Sequence, residues 1–123
     1  MTDKLREKLI GFNETNSNDI FSSVKYKKFE KYINKCICGE GMIGKNAYLI
    51  LWEKNDIEEL NDAYEINEFL TNSVLIGSDG GDTAYGINED GKFFSVPFIG
   101  MNDDEVEIMG DDFEGFVEKL FGL

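Results

Sequence analysis

Histidine is absent from this 123-residue chain, proline occurs once and cysteine twice, and Lys and Arg number 12 against 25 Asp and Glu. Each shortage excludes a chemistry. Without histidine there is no side chain that ordinarily titrates near neutrality, and no Ser–His or Cys–His nucleophile pair. Structural zinc takes four Cys or His ligands, and Cys36 and Cys38 are all that this chain offers. Their Cys-x-Cys spacing is too tight for an ordinary structural disulfide, which favours a reducing compartment and small buried thiols. No apolar run approaches the roughly 18–20 residues of a membrane span. Met1-Thr2-Asp3-Lys4-Leu5-Arg6 lacks the apolar centre of a secretory leader. The chain is expected to work in the cytoplasm, with no membrane, metal or other cofactor.

What is present suits a folded core. Hydrophobic residues make up 41% of the chain, with ten Phe, five Tyr and one Trp, which argues against disorder and for a single domain over residues 1–123. Charge is unevenly placed. Residues 1–35 hold eight basic and five acidic residues, residues 36–123 hold four and twenty, and the net charge is −13. Such a surface repels phosphate backbones and anionic lipid and attracts basic proteins or cations; it also serves plain solubility.

The stretch Val74–Val96 organises the chain. Val74-Leu75-Ile76 reads as a buried strand, and Gly77–Asp82, with three glycines and two acids, as a shaped loop. Thr83–Ile87 returns to strand composition. Asn88-Glu89-Asp90-Gly91 closes a hairpin, with Asp90-Gly91 suited to a type I′ turn. Lys92–Val96 is the next strand, and Pro97 ends its ladder.

Elsewhere, Thr2 caps a first helix to about Ile10, and Asn13–Asp19 is a polar loop. A second helix is expected from Ser22 or Ser23 to Asn34, its face made by Tyr26, Phe29, Tyr32 and Ile33. Its lysines alternate with aromatics, a pattern also found in nucleic-acid binders, but the helical spacing and the net charge favour a core face. Gly39–Gly44 reads as a second glycine-rich loop. Ala47–Trp52 is a continuous apolar strand, expected to be central with both faces buried and Trp52 in the core. Asn55 or Asp56 caps a helix with Ile57, Leu60 and Tyr64 on one face. Val106–Met109 alternates as an edge strand would. Asp111 or Asp112 caps a last helix in which Phe113, Phe116, Val117, Leu120 and Phe121 form the clearest amphipathic pattern in the chain. The fold class is α+β: one domain with a largely antiparallel sheet of about four to six strands flanked by helices.

No motif carries catalysis. Ser78 has no Gly-x-Ser-x-Gly frame, and the glycine loop matches neither Gly-x-Gly-x-x-Gly nor a P-loop. Asp79 and Asp82 lie close enough to serve as a carboxylate pair or as ligands for a hard cation, but the EF-hand ligand sequence is absent. Asp79 is equally suited to a turn-forming Asx hydrogen bond or to a partner contact.

Five segments in order resemble the SUKH superfamily, the Smi/Knr-like proteins. They are Gly39-Glu40-Gly41-x-Ile43-Gly44, Tyr48-Leu49-x-Leu51-Trp52, Ile76-Gly77-Ser78-Asp79-Gly80-Gly81-x-x-Ala84-Tyr85, Val96-Pro97-Phe98-Ile99 and Asp112-Phe113-x-x-Phe116-x-x-x-Leu120. Together they cover about residues 39–121. The chain departs from the family pattern in having Asp82 where members commonly carry a third glycine. It also has no Leu-Pro in residues 1–35, and Ile37-Cys38-Gly39 where an Asn-Gly-Gly is frequent. The resemblance implies a compact α+β domain that is not an enzyme. Many bacterial members are immunity proteins that neutralise a cognate polymorphic toxin, frequently a nuclease; other relatives act as regulatory interaction modules.

The expected partner is therefore a basic toxin domain, probed by acids rather than by a reactive group. The residues expected to meet it are Glu40, Asp79 and Asp82 in the glycine-rich segments, and Asp103, Asp104 and Glu105 in the acidic turn. Trp52, if exposed, would be an aromatic anchor. A regulatory module without a toxin, or a small enzyme or cation binder on Asp79 and Asp82, are the alternatives. Self-association is open, with the Val106–Met109 edge or the last helix as its means. Because the last helix must dock its apolar face on the sheet, Phe116→Asp is expected to be among the most destabilising single changes. A melting temperature equal to that of the parent would refute that assignment.

Overall fold

The computed structural model describes residues 2–123. Seven strands form one antiparallel sheet in sequence order: β1 (Phe12–Glu14), β2 (Gly39–Ile43), β3 (Ala47–Leu51), β4 (Ser73–Ser78), β5 (Thr83–Asn88), β6 (Phe93–Pro97) and β7 (Glu107–Gly110). Five α-helices accompany them: α1 (Asp3–Lys8), α2 (Glu30–Ile33), α3 (Ile57–Ala63), α4 (Ile66–Phe69) and α5 (Phe113–Phe121). The domain is α+β as expected, with seven strands rather than four to six.

Two of the extra strands come from segments that read as loops. Gly39–Ile43 is a strand whose glycines exist for close approach. A Cβ at Gly39 would lie 2.2 Å from the Asn13 carbonyl oxygen, and one at Gly41 would lie 2.2 Å from that of Gly11. Backbone packed that tightly pins Phe12–Glu14 as β1, in register Phe12 with Gly41 and Glu14 with Gly39. Polar Asn13 and Glu14 hid this strand because its outward side chains meet water.

The second helix is shorter than its pattern suggested: a 3-10 turn at Lys27–Phe29 leads into α2, though Tyr26, Phe29 and Ile33 are buried as expected. The loop after β4 is also shorter, because Gly77 and Ser78 belong to the strand; a Cβ at Gly77 would sit 1.9 Å from the Ile50 carbonyl oxygen on β3. The β5–β6 turn is not type I′. Of Asp90 and Gly91 only Gly91 takes positive φ, at 80°, so three residues, Glu89–Gly91, form the loop, and the Asn88 side chain receives the amides of Asp90 and Lys92. Pro97 is the last residue of β6, paired with Thr83. β7 lies at the sheet edge, as its alternation predicted.

α5 covers one face of the sheet. Asp112 caps it, its Oδ1 accepting from the Gly115 amide at 2.8 Å, while Asp111 pairs with Lys92 instead. Phe116 is fully buried, edge-on to Tyr85 at 5.1 Å and stacked on Phe93 at 5.3 Å. α1 lies beside α5; Thr2 caps α1 at the Leu5 amide and donates to Glu114. On β5 and β6 the residues pointing away from α5, Ala84, Phe94 and Val96, are buried as well. On β2 and β3 they are not: Glu40, Met42 and Tyr48 are exposed and Ile50 half-buried, alternating with buried Ile43, Ala47, Leu49 and Leu51. The expectation that β3 is buried on both faces fails there, so half of one sheet face stands open.

Where β3 ends, a side chain takes over its hydrogen bonding. β3 pairs with β4 only at Ile50–Ser78 and Leu51–Gly77, and Trp52 N donates to Ile76 O at 2.9 Å before the chain turns away. Leu75 would then be left with a buried N–H and C=O facing no strand. Asn61 of α3, fully buried, supplies both: its Oδ1 accepts from Leu75 N at 2.7 Å and its Nδ2 donates to Leu75 O at 2.8 Å. Nδ2 also donates to Ile57 O at 2.8 Å. The inner face of α3 is thus Ile57 and Asn61, and Tyr64, expected inward, is exposed. Asn61→Leu leaves the two Leu75 groups without partners and is expected to cost about 3 kcal/mol. An unchanged urea midpoint would contradict the role.

Candidate partner-binding surface

The six acids expected to meet a partner divide by what their carboxylates already do. Asp79 is spent within its own turn: Oδ1 accepts from Gly81 N at 2.8 Å and Thr83 N at 3.1 Å, the Asx arrangement that lets four residues reverse the chain. Asp103 is spent as well, both oxygens accepting from Thr71, from its N–H at 2.9 Å and its hydroxyl at 2.7 Å. Those hydrogen bonds hold the Asp103 carboxyl below the usual carboxylate range. Asp82, Asp104 and Glu105 are exposed, and their side chains make no hydrogen bond among the described residues. Glu40 projects from the open face of β2, its Oε2 accepting from the Tyr48 hydroxyl at 2.5 Å. That bond to a carboxylate raises the Tyr48 pKa.

Register brings some of these together. Glu40 pairs with Ile50, and Ile50 with Ser78, the residue before Asp79. A Cβ at Gly80 would lie 3.5 Å from Tyr48 and 3.6 Å from Ile50, so the β4–β5 turn folds toward the open face beside Glu40. The acidic turn Asp103–Glu105 does not join them. It is tied to Thr71, just before β4 begins, whereas Asp79–Asp82 follow its end, roughly 20 Å away along a six-residue strand.

The sequence reading missed the residues that complete the open face. A groove of about 260 Å³ runs beside Glu40, walled by Ile50, Trp52, Glu53 and Asp56. Its lining holds three carboxylates and no basic residue. Trp52 is half-buried rather than in the core; it marks the seam between the open and covered halves, stacked on Tyr64 at 6.1 Å, with Tyr64 in turn 5.1 Å from Phe98. Ala47–Trp52 gave no hint of this, because an open-face strand row that is itself apolar looks like core. The period-2 pattern in Gly39-Glu40-Gly41-Met42-Ile43 was the available signal. A larger cavity, about 500 Å³, lies among Leu5, Tyr32, Phe93 and Phe113 on the α5 side and touches none of the six acids.

The groove is lined by carboxylates and an indole, and neither cysteine reaches it. Burial pushes the Cys36 thiol up to about 12, so it stays protonated at neutral pH, and Cys38 is raised for the same reason. Among the described residues no group of three or more Cys, Asp and Glu is placed to hold a metal, and no helix is long and apolar enough to cross a membrane. The three ion pairs of the described residues, Lys25–Asp62, Lys28–Glu89 and Lys92–Asp111, involve neither the six acids nor the groove. No family model matches the chain, and no curated protein matches it in sequence at a significant level.

Asp79→Ala removes two backbone hydrogen bonds and is expected to destabilise by about 1 kcal/mol, whereas Asp82→Ala is expected to change stability by under about 0.5 kcal/mol. Asp103→Ala is destabilising at neutral pH. Because the folded carboxyl titrates below its unfolded value, that penalty is present above the unfolded pKa and disappears as pH falls through the folded one. Chemical denaturation of the three variants at neutral and acid pH checks both statements.

Proposed function

We propose that this chain is an immunity-type protein that acts in the cytoplasm, binding a basic toxin, a nuclease domain, and occluding its active site. The observation that carries the reading is the open half of the sheet, with its groove of three carboxylates and no basic residue on the same side as the β4–β5 turn, where Asp82 is exposed and makes no side-chain hydrogen bond among the described residues. A nuclease holds a polyanion with a cationic cleft, and an acidic protein surface suits that cleft by steering encounter and by filling phosphate positions. The ordered resemblance of residues 39–121 to SUKH proteins supports the same reading, as does the lack of histidine and of an activated thiol. Of the six acids first selected, Glu40 and Asp82 belong to this surface. Asp79 shapes it, and Asp103, Asp104 and Glu105 lie at a separate place, outside it.

The test mixes the purified protein with the basic domain encoded beside it and follows nuclease activity. A one-to-one complex that abolishes cleavage is expected, with association slowing about tenfold or more as salt rises and on Glu40→Lys with Asp82→Lys. Cleavage that continues undiminished in excess protein would overturn the proposal.

A further inference from the structure

The groove beside β3 is more particular than a negative patch. Glu40, Glu53 and Asp56 lie on its walls, Trp52 lends an indole, and half-buried Ile50 supplies apolar contact. Glu40 is held in place by the Tyr48 hydroxyl, and Trp52 is braced from behind by Tyr64 at an interplanar angle of 11°. Both are settled before any partner arrives, which lowers the ordering cost of binding. We infer that this groove receives an arginine side chain of the partner, its guanidinium against Trp52 and among the three carboxylates; this rests on the partner-binding reading above.

Charge complementarity selects a cation, and the mixture of aromatic and carboxylate walls selects which one. A guanidinium is planar and weakly hydrated, stacks on an indole and can offer paired N–H groups to a carboxylate. A lysine ammonium is a compact, strongly hydrated charge that gains less from the indole and more from staying in water. Nucleic acid and anionic lipid are repelled by the same walls. A second copy of this chain is a poor occupant, since each copy carries −13 and has only one arginine, Arg6. Met42 and Tyr48, exposed on the same strand face, lie beside the groove, where the apolar part of the partner segment would rest.

Trp52 is the single tryptophan of the chain, so its fluorescence reports the groove alone. The experiment titrates the full protein with a capped Gly-Arg-Gly-Arg-Gly peptide and with versions carrying lysine or citrulline in place of arginine. A saturable change in Trp52 emission is expected with the arginine peptide, about tenfold weaker binding with lysine, and none with citrulline. Glu53→Gln with Asp56→Asn is expected to weaken arginine-peptide binding about tenfold. Asp104→Asn with Glu105→Gln, which removes as much charge elsewhere, is expected to leave it unchanged. Circular dichroism confirms that both variants are folded. Equal affinity for arginine and lysine, equal loss in the two variants, or no Trp52 response up to millimolar peptide would overturn the inference. Toxin neutralisation that survives Glu53→Gln with Asp56→Asn at full affinity also overturns it, while leaving the immunity reading intact. A groove that binds the arginine peptide in a protein that forms no toxin complex upholds the inference and removes that reading.

Discussion

The carboxamide of Asn61 stands where a strand ought to continue, and much of the architecture follows from that substitution. β3 leaves the sheet after two paired positions with β4, yet β4 remains fully buried, because one side chain supplies the donor and acceptor that a backbone would have given Leu75. With that obligation met, the chain after Leu51 is free to turn outward. Trp52, Glu53 and Asp56 occupy the bend, and α3 returns to deliver Asn61. The groove exists because β3 stops short, and β3 can stop short because Asn61 is there.

The same break divides the sheet into a covered half and a half-open one. Over β4–β6 both faces are packed, and this half supplies stability. Over β2 and β3 one face carries Glu40, Met42, Tyr48 and Ile50 toward solvent, an arrangement of exposed apolar, aromatic and acidic groups that packing does not require. Placing those groups on strands rather than on a loop holds them in fixed positions, since each is anchored by a buried neighbour in the period-2 pattern.

Much of the fold was legible in the sequence. The amphipathic spacing of Phe113, Phe116, Val117 and Leu120 led directly to a docked α5, and the apolar run before Asp79 led to β4. What failed had physical causes. Glycines at 39 and 41 signalled a loop, although their purpose is to let β1 approach, a tertiary fact with no local trace. Asn61 drew no expectation, because a polar helix residue carries no local sign of its partner, Leu75. Of the open face, Glu40 was singled out from the sequence, but acidity alone could not separate carboxylates engaged within the fold, such as Asp79 and Asp103, from exposed ones such as Asp82. Trp52 misled for the opposite reason, since an apolar row on an open face and an apolar row facing a core have the same composition.

Because the seven strands follow one another in sequence order, every ladder closes between consecutive segments and the sheet can grow by local addition. Its cover does not grow with it. Phe116, which seals Tyr85 and Phe93, is synthesised after all seven strands, so a nascent chain carries an unsealed hydrophobic face until α5 has left the ribosome. During translation this protein is a sheet awaiting its lid, and its native state is reached only once the last helix arrives.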